Sequence, residues 1–152
     1  MALTVSQRLV LIIAAASVLT VSKADWLDRR HKKGSREIVV AGKERWHFGY
    51  NYTVWALKIP FYVNDVLVFK YDAQNATVHP HNVYLLPDFV SFRKCDFKKA
   101  QMVANPTQGG SDGFKFKLKD WLRPYYSACG ERNGLHCKDG KMKFLETPLL
   151  HH

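Results

Sequence analysis

Phe114-Lys115-Phe116-Lys117-Leu118-Lys119 sets Phe114, Phe116 and Leu118 at every second position, with a lysine after each. Side chains alternate across a strand, so this stretch reads as a half-buried antiparallel strand with one face on a core and the other in water. Working outward, the chain offers further short β-type runs at Glu37 to Val40, Trp46 to Tyr50, Phe61 to Val63, Val66 to Tyr71, His81 to Leu86, Tyr125 to Ala128 and Met142 to Glu146. Gly42, Asn64-Asp65, Pro87-Asp88, Gly109-Gly110 and Asp139-Gly140 punctuate them. Many short strands separated by turn residues indicate an all-β sandwich or barrel. Two segments, Tyr52 to Lys58 and Phe97 to Ala104, are expected to be short helices.

Residues 1–24 have a basic residue early (Arg8), an apolar run from Leu9 through Val21 and small residues around Lys23 in Ser22-Lys23-Ala24. This is the layout of a secretory signal peptide; the rival, a retained membrane anchor, is disfavoured by Ser17, Thr20, Ser22 and Lys23 within the run. Cleavage after Ala24 leaves roughly 128 residues, enough for one domain, and removes Arg8 and Lys23, taking the formal charge from +10 to +8. Residues 25–35, centred on Arg29-Arg30-His31-Lys32-Lys33, read as a flexible basic leader, residues 36–147 as the folded domain, and residues 148–152 as a disordered tail. The remaining lysines are scattered, without an Arg-rich helix or zinc-finger spacing, and secretion argues against nucleic acid as a partner. Asn51-Tyr52-Thr53 and Asn75-Ala76-Thr77 are glycosylation acceptors, whereas Pro106 blocks Asn105. The end of the chain carries no pattern for a lipid anchor, so no stable membrane attachment is expected.

Chemistry concentrates between Tyr125 and Lys143, which hold Cys129, His136, Cys137 and Met142. A thiolate, an imidazole and a thioether suit copper, and one more imidazole makes a His2Cys site with a weak axial methionine, the type that transfers electrons. Cys137 follows His136 directly, and adjacent residues on an extended chain point to opposite sides. It is thus badly placed to share His136's metal and is free to pair with Cys95, which leaves Cys129 as the odd thiol. For the second imidazole, His79 and His81 compete across Pro80, which keeps the backbone extended; geometry alone does not choose, and His81 is favoured because it enters the apolar run to Leu86. A structural zinc site wants paired spacings such as Cys-x2-Cys that this chain does not offer. A cysteine nucleophile with a histidine base lacks a recognisable orienting group, so no enzyme is expected.

Several motifs together carry a family resemblance: Val39-Val40-Ala41-Gly42 with Trp46, Trp55-Ala56, Phe61 through Tyr71, His81-Asn82-Val83, Phe92-Arg93-Lys94-Cys95, Tyr125-Tyr126 before Cys129, and Gly134-Leu135-His136-Cys137 with the Gly140-Lys141-Met142-Lys143 turn. On these residues the chain from about Arg36 to Thr147 resembles the phytocyanins, the plant blue-copper family of plantacyanins, stellacyanins, uclacyanins and early-nodulin-like proteins. The resemblance implies a cupredoxin Greek-key sandwich of about seven to eight strands with one or two short helices. It further implies one copper ion on His81, Cys129 and His136, a Cys95–Cys137 disulfide, and electron transfer through an exposed edge of His136. Two spacings depart from the family. Six residues rather than four separate Cys129 from His136, and the usual axial spacing falls on Lys141, with Met142 one further on. Met142 is the expected axial group, because an ammonium has no lone pair to offer. The function expected is that of a secreted, monomeric electron carrier of the extracellular space or cell wall, cycling Cu(II)/Cu(I) with an unidentified redox partner, a small molecule or an acidic surface. The alternative, of another class, is a copper-free phytocyanin-like module with a structural, signalling or interaction role.

Overall fold

The computed structural model describes residues 35–72 and 79–150. The expected signal peptide, nearly all of the basic leader with His31, the Asn75 sequon, and His151 and His152 lie outside the described residues. Seven strands form two sheets among these residues. One sheet is ordered β1 (Glu37–Val39), β2 (Val66–Phe69), β5 (Phe114–Lys117), and the other β4 (Gln101–Ala104), β3 (Val83–Leu85), β6 (Tyr125–Ala128), β7 (Lys143–Glu146). Only β1 and β2 run parallel; every other pair is antiparallel. Strands of neighbouring number often lie apart, β3 beside β6 and β2 beside β5, which is the all-β sandwich expected from the alternating runs.

In β5 the alternation holds as read: Lys115 and Lys117 are exposed, Phe114 and Phe116 are half-buried, and Leu118 just beyond is buried. The core is aromatic. Trp46 packs on Tyr52 at 4.5 Å between ring centroids, on Phe69 at 5.3 Å and on Phe144 at 6.0 Å. Truncating a buried ring of that size to alanine costs about 3–5 kcal/mol. A buried indole N–H needs an acceptor, and Trp46 Nε1 donates to the Asn82 carbonyl at 3.0 Å. The same tryptophan thus fills the core and anchors the residue after His81.

Among the described residues three short α-helices form, α1 (Tyr52–Ala56), α2 (Phe89–Lys94) and α3 (Leu135–Lys138), besides a single 3-10 turn at Gly42–Glu44. Asn51 caps α1, its Oδ1 accepting from Val54 N–H at 3.2 Å, and Asp88 caps α2 by accepting from Ser91 N–H at 2.7 Å. The helix expected over Phe97 to Ala104 is not formed. Capping by Asp88 starts the helix earlier, Cys95 in the left-handed conformation (φ 51°) ends it, and Gln101–Ala104 pairs with β3 as a strand.

Trp46 to Tyr50 is likewise not a strand. The Tyr52 hydroxyl accepts from His47 N–H at 2.7 Å and donates to the Arg45 carbonyl at 2.8 Å, which folds this segment into turns around a buried tyrosine. Phe61 to Val63 contributes an isolated bridge between Tyr62 and Leu149 rather than a strand. That bridge also corrects the expected disorder from residue 148. Leu149 N–H donates to the Phe61 carbonyl and its own carbonyl accepts from Val63 N–H, both at 2.9 Å, so the chain is held to that point.

Candidate metal centre

Three loops meet at one end of β3, β6 and β7. His81 precedes β3, Cys129 follows β6, and His136 lies on α3 in the loop that leads to β7. Their donor atoms lie within 4.8 Å of one another, and all three residues are buried. The two rings turn the same nitrogen inward, with His81 Nδ1 3.2 Å from His136 Nδ1 and Cys129 Sγ 3.5 Å from His136 Nδ1. Both histidines are held neutral: burial first, then the neighbouring His136, lowers His81 to about 4, while burial followed by Arg132 and His79 lowers His136. Neutral imidazoles keep the lone pair a metal needs. Burial pushes the Cys129 thiol up to about 11, against the pull of backbone N–H groups of Asn82 and Glu131. A cation in the cluster reverses that balance, because coordination deprotonates a thiol outright. The residues therefore fit a soft metal ion: two imidazoles and one thiol, buried and convergent, with no carboxylate among them.

Asn82 fastens the loops to each other. Its Oδ1 accepts from Gly130 N–H at 2.7 Å and its Nδ2 donates to Glu131 Oε1 at 2.6 Å, so the residue after one candidate ligand grips the two residues after another. The sequence alone gives no signal for this, because nothing in Asn82 or Glu131 announces a pair 49 positions apart. The two additional residues between Cys129 and His136 are accommodated by a left-handed turn, with Arg132, Asn133 and Gly134 at φ 51°, 53° and 81°.

Cys95 and Cys137 are disulfide-bonded and Cys129 is a buried free thiol. His136 and Cys137 lie on helix α3 and not, as expected, on an extended chain. Successive side chains on a helix still diverge, by about 100°, so one faces the cluster and the other the bridge to the end of α2. His79, the competing imidazole, is exposed and its Nδ1 accepts from Arg132 at 3.1 Å. The exposed edge expected for His136 is absent: the residue is 2% accessible. Phe48 packs edge-on against its ring at 5.3 Å, leaving His136 to line a cavity of about 430 Å³ with His47, Phe48, His79, His81, Arg132 and Leu135.

Met142 is buried and Lys141 exposed, as expected. At the additional position Lys141 takes the left-handed conformation (φ 53°). Met142 N–H donates to the His136 carbonyl at 3.0 Å, and its carbonyl accepts from Cys129 N–H at 2.9 Å. A separate apolar cleft of about 460 Å³, lined among others by Leu57, Phe61, Phe89 and Leu149, shares no residue with this cluster.

A family model described as a plastocyanin-like domain matches residues 46–141, which takes in His81, Cys129 and His136 and stops one short of Met142. The chain belongs to the plastocyanin-like family, as a phytocyanin. Among its relatives, Blue copper protein 1a of Medicago truncatula is 30% identical over 144 residues, 95% of this chain and 75% of that protein. The fold is also that of cucumber stellacyanin (TM-score 0.60, 23% identity, 78% of this chain and all of that one). Cucumber basic protein, a blue copper protein, gives a TM-score of 0.57 at 24% identity over 74% of this chain and 99% of that one. For this phytocyanin the two sheets and the cluster at their end agree with what the motifs around His81 and Cys129 implied.

Proposed function

We propose that this phytocyanin is an electron-transfer protein, not an enzyme, that holds one copper ion on His81, Cys129 and His136 with Met142 as the weak axial group. The observation that carries the reading is the buried convergence of two imidazole Nδ1 atoms and one thiol within 4.8 Å. The name of the Medicago truncatula relative supports copper as the metal. A copper ion so bound supplies a one-electron Cu(II)/Cu(I) couple and asks the protein for ligands that neither oxidation state rearranges. This chain meets that demand with Asn82 bracing the loops, the Cys95–Cys137 bridge beside His136, and a core that excludes water from Cys129. The apolar run before Lys23 supports secretion to the extracellular space, and no helix among the described residues is long and apolar enough to cross a membrane. Asn51 is exposed and fits a glycan acceptor.

Copper titration followed by visible absorption tests the reading. A strong thiolate-to-copper band at one equivalent is expected. His81→Ala, Cys129→Ser and His136→Ala each abolish it, while His79→Ala keeps it. A folded chain that takes up no copper, or a band lost in His79→Ala and kept in His81→Ala, overturns the ligand set.

A further inference from the structure

The cavity above His136 is built asymmetrically. Its apolar side is the exposed Phe48 ring and Leu135. Its polar side is Arg132 with the rings of His47 and His79. Arg132 is the strongest donor there. One N–H goes to His79 Nδ1 at 3.1 Å, and among the described residues no carboxylate pairs with the guanidinium. The adjacent acid, Glu131, is turned away onto Asn82, and no carboxylate is among the residues that line the cavity; Glu44, outside that lining, lies 4.0 Å from His47. Arg132 also sits in the left-handed region, followed by Asn133 in the same conformation. That backbone costs a non-glycine residue about 1 kcal/mol or more, and such strain persists where the surroundings impose it, often at functional sites.

We propose that Arg132, with Phe48, Leu135 and His79, forms a binding subsite for a small aromatic carboxylate. The planar fork of a guanidinium matches a carboxylate in two parallel hydrogen bonds. The ring of the ligand lies between Phe48 and Leu135, which a cavity of about 430 Å³ accommodates. Concavity favours a small molecule over the flat acidic face of a protein. A molecule seated there reaches His136 at the cavity floor, so the redox meaning of the subsite rests on the copper reading, whereas the binding itself does not.

Calorimetric titration of the folded, disulfide-intact chain, with and without copper, tests this using benzoate, its uncharged counterpart benzamide and a short glutamate peptide. Benzoate is expected to bind at least tenfold more tightly than benzamide in both forms of the protein. Arg132→Gln should weaken benzoate at least fivefold and leave benzamide unchanged, and Arg132→Lys, which keeps the charge but loses the fork, should fall between. Equal binding of benzoate and benzamide, or benzoate binding indifferent to Arg132→Gln, overturns the proposal. So does a glutamate peptide that binds more tightly than benzoate through Arg132, since the site would then read acidic chains. Should the chain bind benzoate through Arg132 yet develop no thiolate-to-copper band when copper is supplied, the electron-transfer reading falls and the subsite stands.

Discussion

Met142 is tied through its backbone to His136 and Cys129, and it belongs to the same buried cluster as Cys129, while Lys141 points into water. In the copper-loaded protein Met142→Gln is therefore expected to change the visible spectrum and shift the reduction potential, with Lys141→Gln nearly silent. Indifference to both would remove the axial side chain from the site. Outside the candidate ligand cluster, Asp65 is buried and accepts from Arg36 Nε at 3.0 Å and from Tyr62 N–H at 2.8 Å. Burial alone would raise its pKa, but the Arg36 and Tyr62 hydrogen bonds outweigh it and hold the carboxyl below its usual range. A depressed acid contributes stability that is complete above the ordinary carboxylate range and is lost as pH falls through the folded value. Asp65→Asn should cost about 1–3 kcal/mol at pH 7, and thermal melts should converge with wild type as the pH is taken down toward 2.

Gly140, at the end of the loop carrying α3, allows Phe48 to reach His136. A Cβ there would stand 2.5 Å from the Phe48 ring and 2.6 Å from the His136 carbonyl oxygen. The carbonyl is backbone and cannot swing aside, so Gly140→Ala is expected to destabilise by about 1–3 kcal/mol and to disturb copper uptake together with stability; a variant with unchanged melting and unchanged spectrum would show that the loop yields freely. Sequence made some of these elements legible and hid others, for physical reasons. Phe114 to Leu118 could be read because each residue reports its own face. Cys129 and His136 could be read because a thiol and an imidazole close in sequence are chemically matched donors, whereas donor type left His79 and His81 open and only the apolar run after His81 favoured it. Gln101–Ala104 could not, since its strand state is imposed by pairing with β3 and its own residues express no alternation. The helical setting of His136 was equally hidden, because a four-residue helix is fixed by the bridge and loop around it more than by propensity.

Across the whole molecule a second buried carboxyl works against Asp65. Glu146 is fully enclosed; Ser127 Oγ donates to its Oε1 at 2.8 Å, and its Oε2 finds no partner among the described residues. Burial raises its pKa well above the ordinary value despite that hydrogen bond. The sign is opposite to that of Asp65: the folded state keeps the proton longer, so stability falls as pH rises above the unfolded carboxyl's value, by about 1.4 kcal/mol per pH unit until the folded group ionises. Glu146→Gln should thus match wild type near pH 4 and melt higher at pH 7; a gap that widened on acidification would contradict the assignment. The disulfide, finally, poses a problem of order in time. Three cysteines allow three single pairings, and in an unfolded chain the shortest loop closes most readily. Cys129 and Cys137 are eight positions apart and the native partners 42, a difference of about 1.5 kcal/mol in loop-closure entropy that favours the wrong bridge. That wrong bridge consumes Cys129, the free thiol that the copper reading needs as a ligand. Newly made chains must therefore either collapse around Trp46 before oxidation, burying Cys129 beyond reach, or be reshuffled by an isomerase, and material oxidised from the denatured state will accumulate as a colourless, metal-incompetent isomer.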